Sequence, residues 1–314
     1  MQMKEDSKNG YQNNLYLKLF DENETKVKFS VDELEKYGRG IFDDSFYIRT
    51  ARAKPWYKAS LSIVICTYGR PESLNDTLES LTHQTFRNFE VILITEKGHL
   101  AELRQRGLET SGGSIVSFID DDVYCPPTWA QGVMQSFREG VVGVTGPTTI
   151  TEGFKKNRDC FKYKRLRKAQ EWLFKVPTTP GQLSPCGAPS MASNDEGCSY
   201  EGSVMYLECC NMSVKRKEAL DVGGFDLSYT GTSEWCEVDL ALKIARTGSL
   251  LFVKTASLFH RPSIQGIYKA RIKTKHRWEN FKFFQRRWIK RSLRRDLYWA
   301  FIWTYFRMKE LATI

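Results

Sequence analysis

A mostly apolar run, Ile115 to Ile119, leads directly into three successive aspartates, Asp120, Asp121 and Asp122. The run has the length and composition of a strand buried in a parallel sheet. Packing alone gives no reason for three like charges at its end. Side by side they repel, and they lose hydration unless a cation sits among them. A hard divalent ion meets that need, since Mg2+ takes few protein carboxylates and leaves room for phosphate oxygens. In open α/β sheets, ligands bind beyond the carboxyl ends of strands. The triplet is therefore the expected place for a metal and a phosphorylated ligand. An acidic turn ahead of a helix opened by Pro126 and Pro127 would leave the same local pattern.

The flanking sequence extends the argument. Leu61 to Cys66 is a second buried strand, followed by Thr67-Tyr68-Gly69-Arg70 and a helix that Pro71 opens. Leu74, Leu78 and Leu81 give that helix its apolar face. Phe89 to Ile94 is another strand, ending at Thr95-Glu96, and a helix over about 100–108 carries Arg104 and Arg106. Beyond the triplet, a helix over 129–137 precedes a strand over 141–145. Strand and helix alternate throughout, which predicts a parallel sheet with helices on both faces. Right-handed crossovers would bring residues 67–70, 96 and 120–122 to one edge.

Either side of this core the pattern is weaker. Residues 1–58 are polar and mixed, with a candidate strand over 15–20 and a capping-box helix from Ser30 through Tyr37. They read as an accessory segment without chemistry of their own. Lys155 to Lys168 is basic and helical in part, and 178–202 is a Pro-, Gly- and Ser-rich loop of the kind that forms lids or binding loops. Strands return at 204–207 and 210–214, then a short helix over 215–220, a helix over 234–246 and a strand over 250–253. On the 234–246 helix Val238, Leu242 and Ala245 share a face, so Glu237 is free to point into a cleft.

Together these stretches resemble the family 2 glycosyltransferases. The matching segments are Ser62 to Pro71, Phe118 to Asp122, Cys210-Asn-Met-Ser213, Gly223-Gly-Phe-Asp226 and Trp235 to Leu240. The resemblance implies a GT-A fold: a Rossmann-like three-layer α/β/α sandwich with a mostly parallel central sheet, here with a basic helical tail. It divides the chain into the 1–58 segment, a glycosyltransferase domain over 59–265 and a tail over 266–314. Within the domain, 59–147 would be the nucleotide-binding half and 148–265 the acceptor-binding, catalytic half. It also implies inverting transfer from a nucleotide-diphosphate sugar, with UDP- or dTDP-sugars favoured, in cell-surface polysaccharide or glycolipid synthesis.

The resemblance also distributes roles. Thr67, Tyr68 and Arg70 match the loop around the nucleobase. Glu96 stands where many relatives have an aspartate that reads a pyrimidine, and Arg104 matches an arginine near the base or diphosphate. Asp120 looks like the residue that reaches the ribose and the metal, Asp121 like its partner, and Asp122 like the metal ligand for Mn2+ or Mg2+. His260 resembles a late histidine used as an extra metal ligand. The catalytic base of inverting members is a carboxylate on the later helix, usually within an acidic pair before Val-Asp-Leu. Here Cys236-Glu237 replaces the pair, which implies Glu237 as the base, with Asp239 and Glu234 as substitutes.

Charge and cysteines bound the setting. The net charge is +10, yet residues 266–314 hold 14 lysines and arginines against three acids, so the body is near neutral. A nucleic-acid partner is not expected from such a body. The tail interleaves Lys282, Arg286, Lys290 and Arg294 with Trp278, Phe281, Phe284, Trp288, Trp299 and Trp303, the composition of helices lying on an anionic membrane. The expected partners are thus a nucleotide-sugar donor, a glycan or lipid-linked acceptor and an anionic membrane surface. Eight cysteines without a C-x-x-C pair, four histidines and an N-terminus lacking a signal-peptide core point to a reduced, cytosolic setting, peripheral on the inner face of the membrane. A sugar-phosphate nucleotidyltransferase would share the alternating sheet but should show a Gly-rich basic loop after the first strand. A catalytically inactive relative that only binds is the other alternative, given the single acid at 237.

Overall fold

The computed structural model describes residues 17–20, 26–29, 39–42, 46–50, 59–68, 70–150, 161–190, 198–261 and 274–311. The capping-box helix expected over 30–37 lies outside these residues. Strands β1 (Leu17–Phe20) and β2 (Lys26–Phe29) pair antiparallel. Strands β3 (Arg39–Phe42) and β4 (Phe46–Thr50) form a hairpin that joins the main sheet, with β4 running parallel to β6 (Phe89–Ile94). Part of the segment read as an accessory is therefore the edge of the core.

Between them come β5 (Leu61–Cys66) and helix α1 (Pro71–Thr82); α2 (Leu100–Thr110) and β7 (Ile115–Ile119) follow β6. Strands β4, β6, β5 and β7 are all parallel neighbours. β5, β6 and β7 are buried along almost their whole length, which is why they read as apolar runs without alternation. Residues of β5 still divide between two layers. Leu61, Ile63 and Ile65 pack with Leu74, Leu78 and Leu81 of α1, whereas Val64 packs with Leu108 of α2. A Cβ at Gly107 would collide with Val64, so glycine lets α2 press close to the sheet.

The remaining elements are β8 (Val123–Tyr124), α3 (Trp129–Ser136), β9 (Val141–Thr145), β10 (Thr148–Ile150), α4 (Phe161–Phe174), β11 (Gly202–Ser203), β12 (Asn211–Lys215), α5 (Arg216–Asp221), α6 (Cys236–Ile244), β13 (Ser249–Phe252), a 3-10 turn (Lys254–Ala256), β14 (Leu258–His260), α7 (Thr274–Trp288) and α8 (Leu293–Leu311). The expected three-layer α/β/α architecture with a mostly parallel sheet and a helical tail is present. Antiparallel strands interrupt it: β3 and β11 lie at the two edges, and β12 inserts antiparallel between β7 and β9. No strand forms over 204–207.

Strand order is β6-β5-β7, while chain order is β5, β6, β7. The chain reverses its direction of winding at the boundary of β5 and β7, and there the strand ends leave a crevice. A small sheet, β10-β14-β8, sits beyond it and pairs His260 with Val123. Asn211 braces this arrangement. It accepts from the Trp129 indole at 3.1 Å and donates to the carbonyls of Gly146 at 3.2 Å and Ala256 at 2.7 Å.

The tail is not a free surface helix. Phe281 and Phe284 of α7 are fully buried, and Gln285 donates to the Cys186 carbonyl at 3.0 Å. Cys186, Ala188 and Ser190 of the long loop are buried, so its 184–190 stretch packs into the body, with Cys186 against α7; residues 191–197 lie outside the described set. Among the described residues every cysteine is free, and no helix is long and apolar enough to cross a membrane.

Candidate active site

At the crevice, Thr67 leaves β5 and donates from Oγ1 to Asp121 Oδ2 at 2.6 Å. Arg70, the last residue before α1, forks across the triplet. One Nη pairs with Asp121, and the other reaches Asp122 Oδ2 at 2.8 Å. Asp121 is completely buried, and burial pushes its carboxyl up to about 7 against the pull of Arg70 and Thr67. A buried carboxylate without a counter-charge is unfavourable, and the Arg70 guanidinium supplies one here.

Asp122 has a second neighbour. His260 Nε2 lies 3.1 Å from Asp122 Oδ1 and 3.8 Å from Asp120 Oδ2. The β14–β8 pairing and the Arg261 backbone N–H, which donates to the Asp122 carbonyl at 2.8 Å, fix that approach. Ligand atoms of Asp120, Asp122 and His260 all lie within 4.8 Å of one another. Two carboxylates and an imidazole are a donor set that suits Mn2+, and Mg2+ with more of its own water. The residues present therefore fit the divalent ion expected from the sequence.

A chain of polar contacts runs from Asp120 to α6. Arg104 is buried on α2, with Nη2 3.6 Å from Asp120 Oδ1 and Nη1 donating to Cys236 Sγ at 3.7 Å. Cys236 in turn donates to Glu237 Oε2 at 3.5 Å. Burial holds the Cys236 thiol well above its usual range, so it stays protonated and able to donate. Burial also raises the Glu237 carboxyl, and Arg104 pulls it back. A carboxylate poised in this way suits proton abstraction near neutral pH.

The turn that presents this pair is strained. Ser233 and Trp235 have positive φ, at 50° and 78°. Such strain persists only where the surroundings hold it. Ser233 accepts from the Ala101 N–H at 3.0 Å, and Trp235 stacks on Phe284 of α7 at 4.7 Å.

The structure does not bring every expected residue to the crevice. Asp239 lies on the far side of α6 from Glu237. It is completely buried, accepts from the Trp288 indole at 2.7 Å, and sits 3.4 Å from both Lys243 and Arg287. This engagement fastens α7 to α6. Glu234 pairs with Arg277 at 3.1 Å, again toward α7. Glu96 pairs with Arg106 at 2.8 Å. Tyr68 is half exposed with the Lys97 ammonium 5.0 Å over its ring. The Cys236 link, Arg106, Lys97 and the Asn211 brace were not assigned from sequence. Cys236 carried a signal as the residue that breaks the acidic pair, and Asn211 as a member of the matching Cys210–Ser213 segment.

Residues 62–97 match the model of the family described as Glycosyl transferase family 2. That stretch spans β5, the Thr67–Arg70 turn, α1, β6 and Glu96, and there the likeness read from the sequence is borne out. A glucosyl-dolichyl phosphate glucuronosyltransferase of Haloferax volcanii is 22% identical over 201 residues, which cover 53% of this chain and 56% of that protein. The chain thus spans about half the length of the curated relative it matches. Among solved structures, the mannosyltransferase PcManGT from Pyrobaculum calidifontis, in complex with GDP-Man and Mn2+, is 16% identical with a TM-score of 0.45, over 74% of this chain and 66% of that one. S. aureus TarS is 12% identical with a TM-score of 0.46, over 72% of this chain and 39% of that one.

Proposed function

We propose that this chain is a glycosyltransferase that moves a sugar from a nucleotide-diphosphate donor, a UDP- or dTDP-sugar by preference, to a glycan or lipid-linked acceptor, with inversion at the anomeric carbon. The observation that carries the reading is the single polar chain from the Asp120–Asp122–His260 cluster through Arg104 to Glu237. A diphosphate bound at that cluster would lie at one end of the same chain of contacts as a carboxylate whose pKa burial raises. Asp122, Asp120 and His260 would hold Mn2+ or Mg2+, which when bound neutralises charge growing on the departing diphosphate.

The remaining roles belong to side chains of the chain itself. Thr67 and Tyr68 border the base, the Tyr68 ring offering a stacking face, and Glu96 stands at the same rim. Arg70 and Asp121 shape the floor beneath the phosphates. Glu237 takes the proton of the acceptor hydroxyl as that oxygen attacks the anomeric carbon and the nucleoside diphosphate leaves from the opposite face. Cys236 and Arg104 orient the Glu237 carboxylate. Asp239 acts as an anchor for α7 rather than as a base. The setting that fits is synthesis of a surface polysaccharide or glycolipid.

A donor screen tests the proposal. Nucleoside diphosphate release is followed for several nucleotide sugars with Mn2+, with Mg2+ and with chelator. Release that needs metal and is lost in Asp122→Ala supports it. Metal-independent release, or none from any donor, sinks it.

A further inference from the structure

Most aromatic residues of the tail point inward. Phe281 and Phe284 are buried, Trp278 and Trp299 belong to the buried cluster around Phe281, and the Arg295 guanidinium lies 5.2 Å over the Trp299 ring. The composition that suggested a membrane surface is therefore largely used within the protein. A different set remains outside. On α8, Leu293, Leu297, Ala300, Thr304 and Met308 fall at i, i+4, i+7, i+11 and i+15, and all are exposed. Leu293 is 78% and Met308 66% exposed, while Tyr298 and Phe306 on the opposite side are buried. A surface helix ordinarily turns its charged side to water, yet this one turns a largely apolar stripe outward.

Cations rim the stripe. Lys290, Arg291 and Arg294 are exposed at its start, and Lys290 and Arg294 have no carboxylate partner among the described residues. Trp303 is exposed at its edge, with the Arg307 guanidinium 5.6 Å over the ring. The end of α4 lies against α8, since Phe174 packs on Tyr298 at 5.0 Å and on Phe301 at 5.3 Å. Beside Phe174, Trp172 is 83% and Leu173 44% exposed, flanked by exposed Lys168 and Lys175.

We propose that the outer face of α8, with Trp172 and Leu173 of α4, docks on an anionic lipid bilayer. Apolar side chains would enter the acyl boundary while lysines and arginines reach the headgroups. A second copy of the chain is the poorer occupant, since it would bring two basic rims together. No described helix can span a bilayer, so the contact is made in the plane of the interface. The inference deepens the reading of a lipid-linked acceptor, but it is measured without any donor, so either can fail alone.

The test is flotation of the full chain with phosphatidylcholine vesicles, with and without phosphatidylglycerol. The chain should float with the anionic vesicles and not with the neutral ones. Leu293→Glu with Leu297→Glu should lower the bound fraction on the order of tenfold. Lys290→Gln and Arg294→Gln should each cost about fivefold. Leu227→Glu, at an exposed position on the body, should change nothing. Every substituted side chain here is exposed, and circular dichroism verifies the fold. A wild type that stays with the sediment, or a double variant that floats as well as it, overturns the proposal. A concentration-dependent dimer abolished by the same double variant assigns the face to a second copy instead. Trp172→Glu should also weaken flotation, and an unchanged value removes α4 from the surface.

Discussion

Glu237 and Asp239 stand two residues apart on α6, and their surroundings predict opposite phenotypes. Asp239 accepts from the Trp288 indole at 2.7 Å, and it also faces Lys243 and Arg287 at 3.4 Å each. Asp239→Ala would leave a donor and two cations around an emptied buried position, which costs about 3–5 kcal/mol. Asp239→Asn keeps an acceptor for the indole. Lys243 keeps the Gly224 carbonyl at 2.6 Å and Arg287 keeps Asp226 at 2.5 Å, so the cost drops to about 2 kcal/mol. The loss should appear as faster hydrogen exchange along α7, with turnover retained below the melting transition. Glu237→Gln should do the reverse. Its stability should hold or rise, because burial already disfavours the charge, while turnover falls by about 10²–10⁴. Nucleoside diphosphate release and denaturant melts, run on both variants, separate the cases. If Asp239→Asn melts like the wild type but loses turnover, and Glu237→Gln turns over normally, the assignment of the two acids is backwards.

Arg70 supplies the counter-charge for Asp121 and Asp122 in the absence of any ion. Arg70→Gln should therefore destabilise the metal-free chain by about 3 kcal/mol, and Mn2+ should recover more stability in the variant than in the wild type; an unchanged metal-free melt refutes this. The raised pKa of Glu237 sets the pH profile. Only the deprotonated base works, so turnover should be flat above that pKa and fall as pH drops through it, at a pH above the ordinary glutamate range. Glu237→Gln should erase the limb, and a limb at or below the ordinary glutamate value would contradict the burial argument.

The strands β5, β6, β7 and β9 could be read from sequence because burial on both faces writes itself as an apolar run. The crevice residues followed from them: once strand and helix alternate, residues 67–70, 96 and 120–122 must share an edge. β12 was legible as a strand but not as an antiparallel insert, because its partners β7 and β9 are set by contacts far away in the chain. For the same reason the β3–β4 hairpin looked like an appendage until its parallel pairing with β6 was visible. The roles of Glu237 and Asp239 depended on what packs against each side of α6. Helical period separates the two sides, but it does not say that Trp288 and Arg287 arrive from 49 residues on and 48 residues on to cover one of them.

The replacement of an acidic pair by Cys236-Glu237 looks like a loss of function only until the charges are counted. Asp120, Asp121, Asp122 and Glu237 bring four negative charges to the cluster, and Arg70 and Arg104 bring two positive ones. With all four carboxyls ionised two negative charges would remain, the number a divalent cation would neutralise. Arg104 is shared between the Asp120 end and the Glu237 end, through the Cys236 thiol. A carboxylate at 236 would add a charge that no further described cation meets, in a place where an uncompensated charge is costly. It would also draw Arg104 away from Asp120. A buried thiol, held protonated, accepts from Arg104 and donates to Glu237 without adding charge. The single acid at 237 is thus consistent with an intact base, and the neutral residue beside it lets one guanidinium serve both ends of the site.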